Sequence, residues 1–393
     1  MKPSVHELCR DVIETAARPL RDSITLPRQV YTDPAYFEYE AETVLKRGWL
    51  AIAHVSQLKA PGDYLNVELL DEPLTVIRGK DEIIRVLSRV CPHRAMDVMA
   101  PESGAAIKGN APILVCPYHR WSFDLDGQLK GCPEMHQAEG FRKSDWRLPE
   151  IRSAIWEGFV FVDLSGTAAP IEPQFADFQR RVSPWKLGEM EVVIELEWDC
   201  AFNWKVMIEN WAESYHHLGS HHGTLNQVMP AHMTWTEPQT GNFICCHLPY
   251  KPEVAKSPPQ GFRPIPGLTR QQQAEWGVFV GLPCFMFLTA PDRAIWYRLL
   301  PVAAERCKLT TTVLVAPENL EDPDFAARIE EETTSLSKFH IEDMEVNVGV
   351  QRGLRSSRAV RGRLSHLEEP VWRVQRFLAT QILAARQAGE RAA

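Results

Sequence analysis

Two short stretches decide how this chain is read: CPHR at 91–94 and CPYHRWSFDLDG at 116–127. Each sets one cysteine and one histidine on a loop, with a turn-forming proline directly after the cysteine, and 22 residues separate His93 from Cys116. Strand-like runs lead into both, at 85–90 and 112–115, so the two loops could close over one ion or cluster. Mixed sulfur and nitrogen ligation suits zinc or iron–sulfur chemistry. A Cys2His2 zinc site is the plainer alternative, but zinc modules usually show Cys-x2-4-Cys beside His-x3-5-His. Here cysteine and histidine alternate, as Cys-x-His and then Cys-x2-His.

Outward from these loops, residues 46–165 consist of short alternating runs punctuated by Pro61-Gly62, Gly79-Lys80-Asp81 and Asp126-Gly127, the text of a small all-β domain. Before it, residues 1–45 read as an amphipathic helix, a connector at Leu26-Pro27 and a second helix. After the linker-like 165–170, residues 166–393 mix long helices with strands at 192–200, 276–288, 294–302 and 308–315. Successive strands with short connections predict an antiparallel sheet, and the chain as a whole is α+β. The Pro- and Gly-rich stretch 251–273 is too long for a plain turn and reads as either a mobile lid or a disordered segment. Asp322-Pro323-Asp324 predicts a helix start, with Asp as cap and Pro in the first turn, and a last helix is expected over 368–386.

A second cluster lies in NWKVMIENWAESYHHLGSHHGT at 203–224. Its apolar positions Trp204, Ile208, Trp211 and Tyr215 recur at helical spacing and predict a buried stripe, with Glu209 and Glu213 together on one face. Four histidines in seven residues beside two glutamates favour a metal site over isolated surface or core histidines. Spacing alone prefers His217 and His221 as an i,i+4 pair. His216 and His221 are about 140° out of phase on a regular helix and converge only if the helix breaks, for which Gly219 is placed.

Composition sets the limits. The 393 residues carry 43 Lys plus Arg against 51 Asp plus Glu, a formal charge of −8 that argues against a nucleic-acid surface. With 45% apolar and 24% charged residues and a mean hydropathy of −0.25, the chain is of the ordinary globular kind. The best apolar run, 278–290, is interrupted by Pro283 and falls short of the roughly 18 residues a membrane span needs. The N-terminus has no signal-peptide pattern, and a cytoplasmic protein is expected. Nine scattered cysteines, an odd number, do not suggest a disulfide framework. Most are expected as packing residues, Cys132 among them, and neither it nor His136 fits the ligand motif.

The Cys91-x-His93 and Cys116-x2-His119 pattern, with the run through Gly127, resembles a Rieske [2Fe–2S] domain. The resemblance implies one iron held by Cys91 and Cys116, the other by His93 and His119, and a potential between about −150 and +300 mV. The spacer is longer than the family's common form, and 101–112 looks like an inserted loop, expected to lie away from the ligands. The second cluster resembles the mononuclear iron motif of Rieske non-heme iron oxygenases, which places Glu209, Glu213, His216 and His221 in register and overrides the His217 and His221 pairing. The third ligand of the 2-His-1-carboxylate triad would be Asp343 in the FHIED segment at 339–343, with Glu342 as the competing choice.

By the same resemblance Glu213 would bridge His216 to the partner subunit's His119, Glu standing where many relatives have Asp. The implied fold is an all-β Rieske domain beside a helix-grip catalytic domain, an antiparallel sheet with covering helices, on which the N-terminal segment packs. The implied assembly is a head-to-tail homotrimer. The implied activity is that of a terminal oxygenase using O2, Fe(II) and electrons from NAD(P)H through a separate reductase, directly or through a ferredoxin. This chain shows no Gly-rich dinucleotide fingerprint.

Its substrate is expected to be a small aromatic compound, hydroxylated or oxidatively demethylated. The alternative is a quaternary ammonium compound of the choline, betaine or carnitine kind. It is supported by the aromatic residues of the second half, able to cage a cation, and by LPRQVYTDPAYFEYEAETVLKRGW at 26–49, which resembles that branch. Arg293 and Arg298 are candidates for a substrate carboxylate. A non-catalytic Rieske electron-transfer protein is the reading from another class, and it would need only about the first 165 residues.

Overall fold

The computed structural model describes residues 2–238, 241–259 and 261–392. They form two compact units, one of 49–168 and one built from 1–48 together with 169–393. The N-terminal helices thus belong to the larger unit.

The smaller unit is made of antiparallel sheets. One has five strands in the order Lys108–Asn110, Asp63–Leu69, Glu72–Arg78, Ile84–Ser88 and Glu150–Ile151. A three-stranded sheet, Leu114–Val115, Ser122–Phe123 and Leu129–Gly131, carries the second ligand loop, and another pairs Leu50–His54, Phe159–Val162 and Ser153–Trp156. Leu69 pairs with Glu72, so Leu70 and Asp71 alone turn the hairpin, both at positive φ (52° and 66°) as a tight two-residue turn of right-handed strands requires. Ile77, Leu87, Leu114, Phe123 and Leu148 are almost wholly buried, and Cys91 and Cys116 sit within the same core. The loop read as an insertion supplies the edge strand Lys108–Asn110, paired with Asp63, Tyr64 and Leu65. Its stem residues Ala105 and Ala111 pack on the core that holds the two cysteines, so it is part of the unit's framework.

The larger unit holds a seven-stranded sheet, antiparallel throughout, in the order Glu191–Cys200, Arg306–Val315, Ala294–Ala303, Phe285–Thr289, Glu275–Gly281, Phe243–Pro249 and Trp235–Thr236. Its central strands Glu275–Gly281 and Phe285–Thr289 are buried at every position, because both faces are covered, and they read as continuous apolar runs for that reason. The first helix, Val5–Ala16, begins in a capping box between Ser4 and Glu7 and packs on the last, Glu369–Ala392. The long helix Phe325–Arg355 starts three residues past Asp322, the expected cap, and Pro323 lies outside it. Asp322 accepts the Asp324 N–H at 3.0 Å, and Asp324 itself makes no side-chain cap. Among the described residues no helix is long and apolar enough to cross a membrane.

Candidate metal centres

In the smaller unit the two ligand loops are near copies. The Cys91 N–H donates to the Met96 carbonyl and the Cys116 N–H to that of Trp121, both at 2.8 Å. Ala95 and Arg120 close back on the cysteine carbonyls at 2.9 and 3.1 Å. Both closing residues have positive φ, 54° and 61°. A one-residue difference inside this shared turn gives Cys-x-His in one loop and Cys-x2-His in the other. The thiols of Cys91 and Cys116 lie within hydrogen-bonding reach, and desolvation pushes the Cys91 thiol up. The rings of His93 and His119 meet edge to face at 4.6 Å, and Trp121 stacks on His93 at 4.8 Å. His93 Nδ1 is buried with no hydrogen-bond partner among the described residues. Two paired thiols beside two paired imidazoles, one with an orphaned nitrogen, fit a [2Fe–2S] cluster.

The second centre is built on the helix Trp204–Ala212. Asn203 caps it by accepting the Lys205 N–H at 2.9 Å, and its own N–H donates to Gln351 Oε1 at 2.9 Å, which docks the helix start on Phe325–Arg355. At its base Lys205 and Glu40 form a fully buried pair at 2.6 Å, with Trp204 Nε1 donating to the same carboxylate oxygen at 2.8 Å.

One expectation is corrected here. The helix ends at Ala212, not at Gly219, because Glu213 is extended (φ −129°, ψ 167°) and its carboxylate accepts the backbone N–H groups of Tyr215 and His216, opening a new turn over Tyr215–Leu218. Gly219 keeps a negative φ of −107°, which any residue can adopt. Tyr215, expected in the buried stripe, is exposed. Glu209 and Glu213 also part company. Glu209 accepts the Tyr31 hydroxyl at 2.6 Å and is not among the residues lining the pocket described below. Desolvation pushes its carboxyl up to about 7.

The displaced turn brings distant residues together. Asp343 Oδ1 lies 3.0 Å from His221 Nε2 and 3.6 Å from His216 Nε2. The opposite nitrogen of each ring is held by a carboxylate. Glu213 Oε1 sits 2.9 Å from His216 Nδ1, and Glu342 Oε2 sits 2.7 Å from both His221 Nδ1 and Thr224 Oγ1. Asp343 therefore faces the point shared by the two Nε2 atoms, whereas Glu342 stands behind His221. Desolvation raises the Asp343 carboxyl, but the His221 hydrogen bond and the charges of His216 and His221 outweigh it and leave it below its ordinary range.

His217 belongs to the same cluster, its ring 4.8 Å from that of His216 and 5.3 Å from that of His221. Desolvation, reinforced by its two histidine neighbours, lowers it to about 3, so it is neutral at working pH. Two imidazoles whose Nε2 atoms both face one carboxylate fit a facial iron triad. The sequence reading missed the orienting roles of Thr224 and Asn210, whose amide reaches Asp343 Oδ1 at 3.3 Å; no local signal marks either.

The cluster opens into a pocket lined by Trp211, Trp276, Tyr297 and Phe339, with Leu248 and Val278 from the sheet. No Lys or Arg is among its described lining residues. Arg293 is paired with Asp292 at 2.7 Å and Glu332 at 2.8 Å, and Arg298 donates to Thr310 at 3.0 Å, so neither takes the expected place beside a substrate carboxylate. The 251–273 stretch lends this pocket no described lining residue, while Thr269, Gln271 and Gln272 line a different cavity. Gln260 lies outside the described residues.

Two centres of this kind on these two units define an iron-dependent oxygenase with its own electron relay. Residues 48–149 match the Rieske [2Fe–2S] domain and residues 187–384 the ring hydroxylating alpha subunit (catalytic domain). The carnitine monooxygenase oxygenase subunit of Acinetobacter pittii is 30% identical over 349 residues, 86% of this chain and 87% of the relative. The structure of a quaternary ammonium Rieske monooxygenase, described for carnitine oxidation by gut microbiota and inter-subunit electron transfer, superposes with a TM-score of 0.79 at 25% identity, covering 94% of this chain and 98% of that one. Naphthalene 1,2-dioxygenase from Rhodococcus sp. superposes with a TM-score of 0.78 over 96% and 98% of the two chains, but at 19% identity shares the fold alone. This chain belongs to the ring-hydroxylating alpha-subunit family of Rieske oxygenases. It is an oxidoreductase, and its cofactors are a Rieske [2Fe–2S] cluster and a mononuclear iron.

Proposed function

We propose that this chain is the terminal oxygenase for a small quaternary ammonium compound, which places the alternative of the sequence reading ahead of an aromatic substrate. The observation that carries it is the pocket beside the His and Asp cluster: four aromatic side chains, the carboxylate of Glu213, and no Lys or Arg among the described lining residues. Aromatic faces attract a trimethylammonium group, each contributing about 0.5–2 kcal/mol, and the Glu213 carboxylate adds to that attraction, whereas a neutral arene gains from neither of these charge attractions. The carnitine-oxidising relative at 30% identity supports the same choice over the dioxygenase that shares only the fold.

In this reading His216, His221 and Asp343 hold the iron, and Cys91, His93, Cys116 and His119 hold the cluster. Iron bound at the triad supplies O2 activation, drawing on electrons relayed by the cluster. The residues of the chain do the rest. Glu213 and Glu342 fix which nitrogen of His216 and His221 faces the centre. The aromatic walls seat the cation with a methyl or methylene group toward the triad and exclude water. Glu213 further serves as the bridge to the partner subunit's His119 in a ring of three copies, which the inter-subunit transfer described for the structural relative supports. A separate NAD(P)H-dependent reductase, with or without a ferredoxin, supplies the electrons.

The test is a reductase-coupled assay scored by product. Choline, carnitine, glycine betaine and γ-butyrobetaine are set against benzoate, toluene and an aryl methyl ether. Oxidised product is expected from at least one trimethylammonium compound and from no arene. Product from the arenes alone overturns the proposal.

A further inference from the structure

Residues 245–248 and 275–278 point alternately to the two faces of the sheet. Cys246, Leu248, Trp276 and Val278 face the iron pocket. Cys245, His247, Glu275 and Gly277 face the other way and line a second cavity of about 230 Å³. The register sets His247 between Trp235 and Gly277. Just past the outer strand, the Glu237 N–H donates to the Cys245 carbonyl at 2.9 Å, which turns its side chain onto the same group.

Three donor atoms meet there. His247 Nε2 is 2.9 Å from Glu237 Oε1, and Cys245 Sγ is 3.5 Å from that nitrogen and 3.6 Å from that oxygen. Behind them Glu275 Oε1 sits 2.7 Å from His247 Nδ1, and Gln271 Nε2 holds the same oxygen at 3.1 Å. Arg181 Nε donates to Glu237 Oε2 at 2.6 Å. Trp235 stacks on the imidazole at 4.0 Å and 3°. The ring plane and both carboxylates are therefore fixed in advance of any ligand.

We propose that Glu237, Cys245 and His247 form a further metal site, of the divalent zinc class, on the opposite face of the sheet from the iron centre. The triangle of donors has nearly the size a tetrahedral zinc ion demands. Metal–ligand bonds of about 2.3 Å to sulfur and about 2.0 Å to nitrogen and oxygen give tetrahedral edges of about 3.5 Å from sulfur to either partner and about 3.3 Å from nitrogen to oxygen. The two sulfur edges already match, and the nitrogen–oxygen edge need open by only about 0.4 Å as its hydrogen bond is replaced.

Glu275 on Nδ1 is the outer carboxylate that orients a metal-bound imidazole. An imidazolium shared by two glutamates would account for the carboxylates, but not for a thiol aimed at the same point. When the ion enters, the Cys245 thiol and the His247 imidazolium each release a proton and their lone pairs bind the metal. Three ligands leave a fourth position toward the cavity, which has ample room for water.

The test uses iron-replete holoenzyme titrated with Co2+. The cluster is already filled and the iron triad contains no cysteine, so a thiolate-to-cobalt charge-transfer band reports a cysteine outside both centres, and its loss in Cys245→Ser assigns it to Cys245. The expected result is a band saturating at one cobalt per chain, displaced by one equivalent of Zn2+, absent in Cys245→Ser and at least tenfold weaker in affinity in Glu237→Gln, with three iron per chain retained in both variants. Should Cys245→Ser fail to fold, the zinc-displaceable band of the wild type and its weakening in Glu237→Gln decide the matter. No band in the wild type at millimolar cobalt, or an equal band in Cys245→Ser, overturns the proposal.

Discussion

Replacing Glu342 by glutamine separates the two carboxylates that compete for the third ligand position. Glu342 Oε2 lies 2.7 Å from His221 Nδ1 and 2.7 Å from Thr224 Oγ1, while Asp343 Oδ1 faces the two Nε2 atoms. Glutamine keeps an acceptor in place but loses the charge. A hydrogen bond to an ionised group contributes about 1.5–3 kcal/mol and a neutral one about 0.5–1.5, so the change costs about 1–1.5 kcal/mol, a five- to tenfold loss of iron affinity. Glu342→Ala removes the orienting partner altogether and should cost 10- to 100-fold. Asp343→Asn removes the anionic ligand and should fall beyond both. Iron(II) is titrated into metal-depleted triads against a competing chelator, with the visible spectrum of the cluster as internal control. If Glu342→Gln abolishes iron binding as completely as Asp343→Asn, Glu342 is a ligand and the assignment fails. If Glu342→Gln and Glu342→Ala both bind like the wild type, the contact behind His221 does no orienting.

His217→Gln should keep mononuclear iron where Asp343→Asn loses it, as metal analysis will show, because His217 adjoins the triad without being one of the proposed ligands. Lys205→Met leaves the Glu40 carboxylate buried without its counter-charge and should cost about 3–5 kcal/mol in denaturant unfolding, most of it recovered in the Glu40→Gln/Lys205→Met double variant. Glu209 has a folded-state pKa raised from 4.5 to about 7. The native state thus binds more protons than the unfolded chain between these values, and stability falls as pH rises through that window, by at most about 3 kcal/mol. Glu209→Gln should flatten this slope in unfolding midpoints measured from pH 5 to 8. Trp276→Leu should raise KM for a trimethylammonium substrate by about 2- to 30-fold while leaving inhibition by a neutral tert-butyl isostere within about twofold.

Legibility in the sequence tracked the distance over which each feature is encoded. Cys91, His93, Cys116 and His119 sit in two self-contained turns, each closed by its own backbone hydrogen bonds, so a few residues announce the chemistry. The His cluster was visible as a cluster, but helical periodicity pointed to His217 and His221. The register depends on a helix end at Ala212, which Glu213 brings about by capping the next turn with its own carboxylate. Arg293 and Arg298 looked available as isolated charges, and only their partners Asp292, Glu332 and Thr310 show where they are committed.

Alternation and turn residues sufficed, by themselves, for a β unit followed by an antiparallel sheet with helices, and motif spacing sufficed for two metal chemistries, because these signals are local in the chain. What only the tertiary structure decided is long-range. Asp343, more than a hundred residues from His221, takes the place facing both imidazoles, and Glu342 falls behind one of them. Cys245 and Cys246, neighbours in sequence and both expected as packing residues, face opposite sides of the sheet, one toward Glu237 and His247 and the other toward the iron pocket. Strand register and helix docking set those encounters, and both are fixed by burial of apolar faces contributed by segments far apart in the sequence.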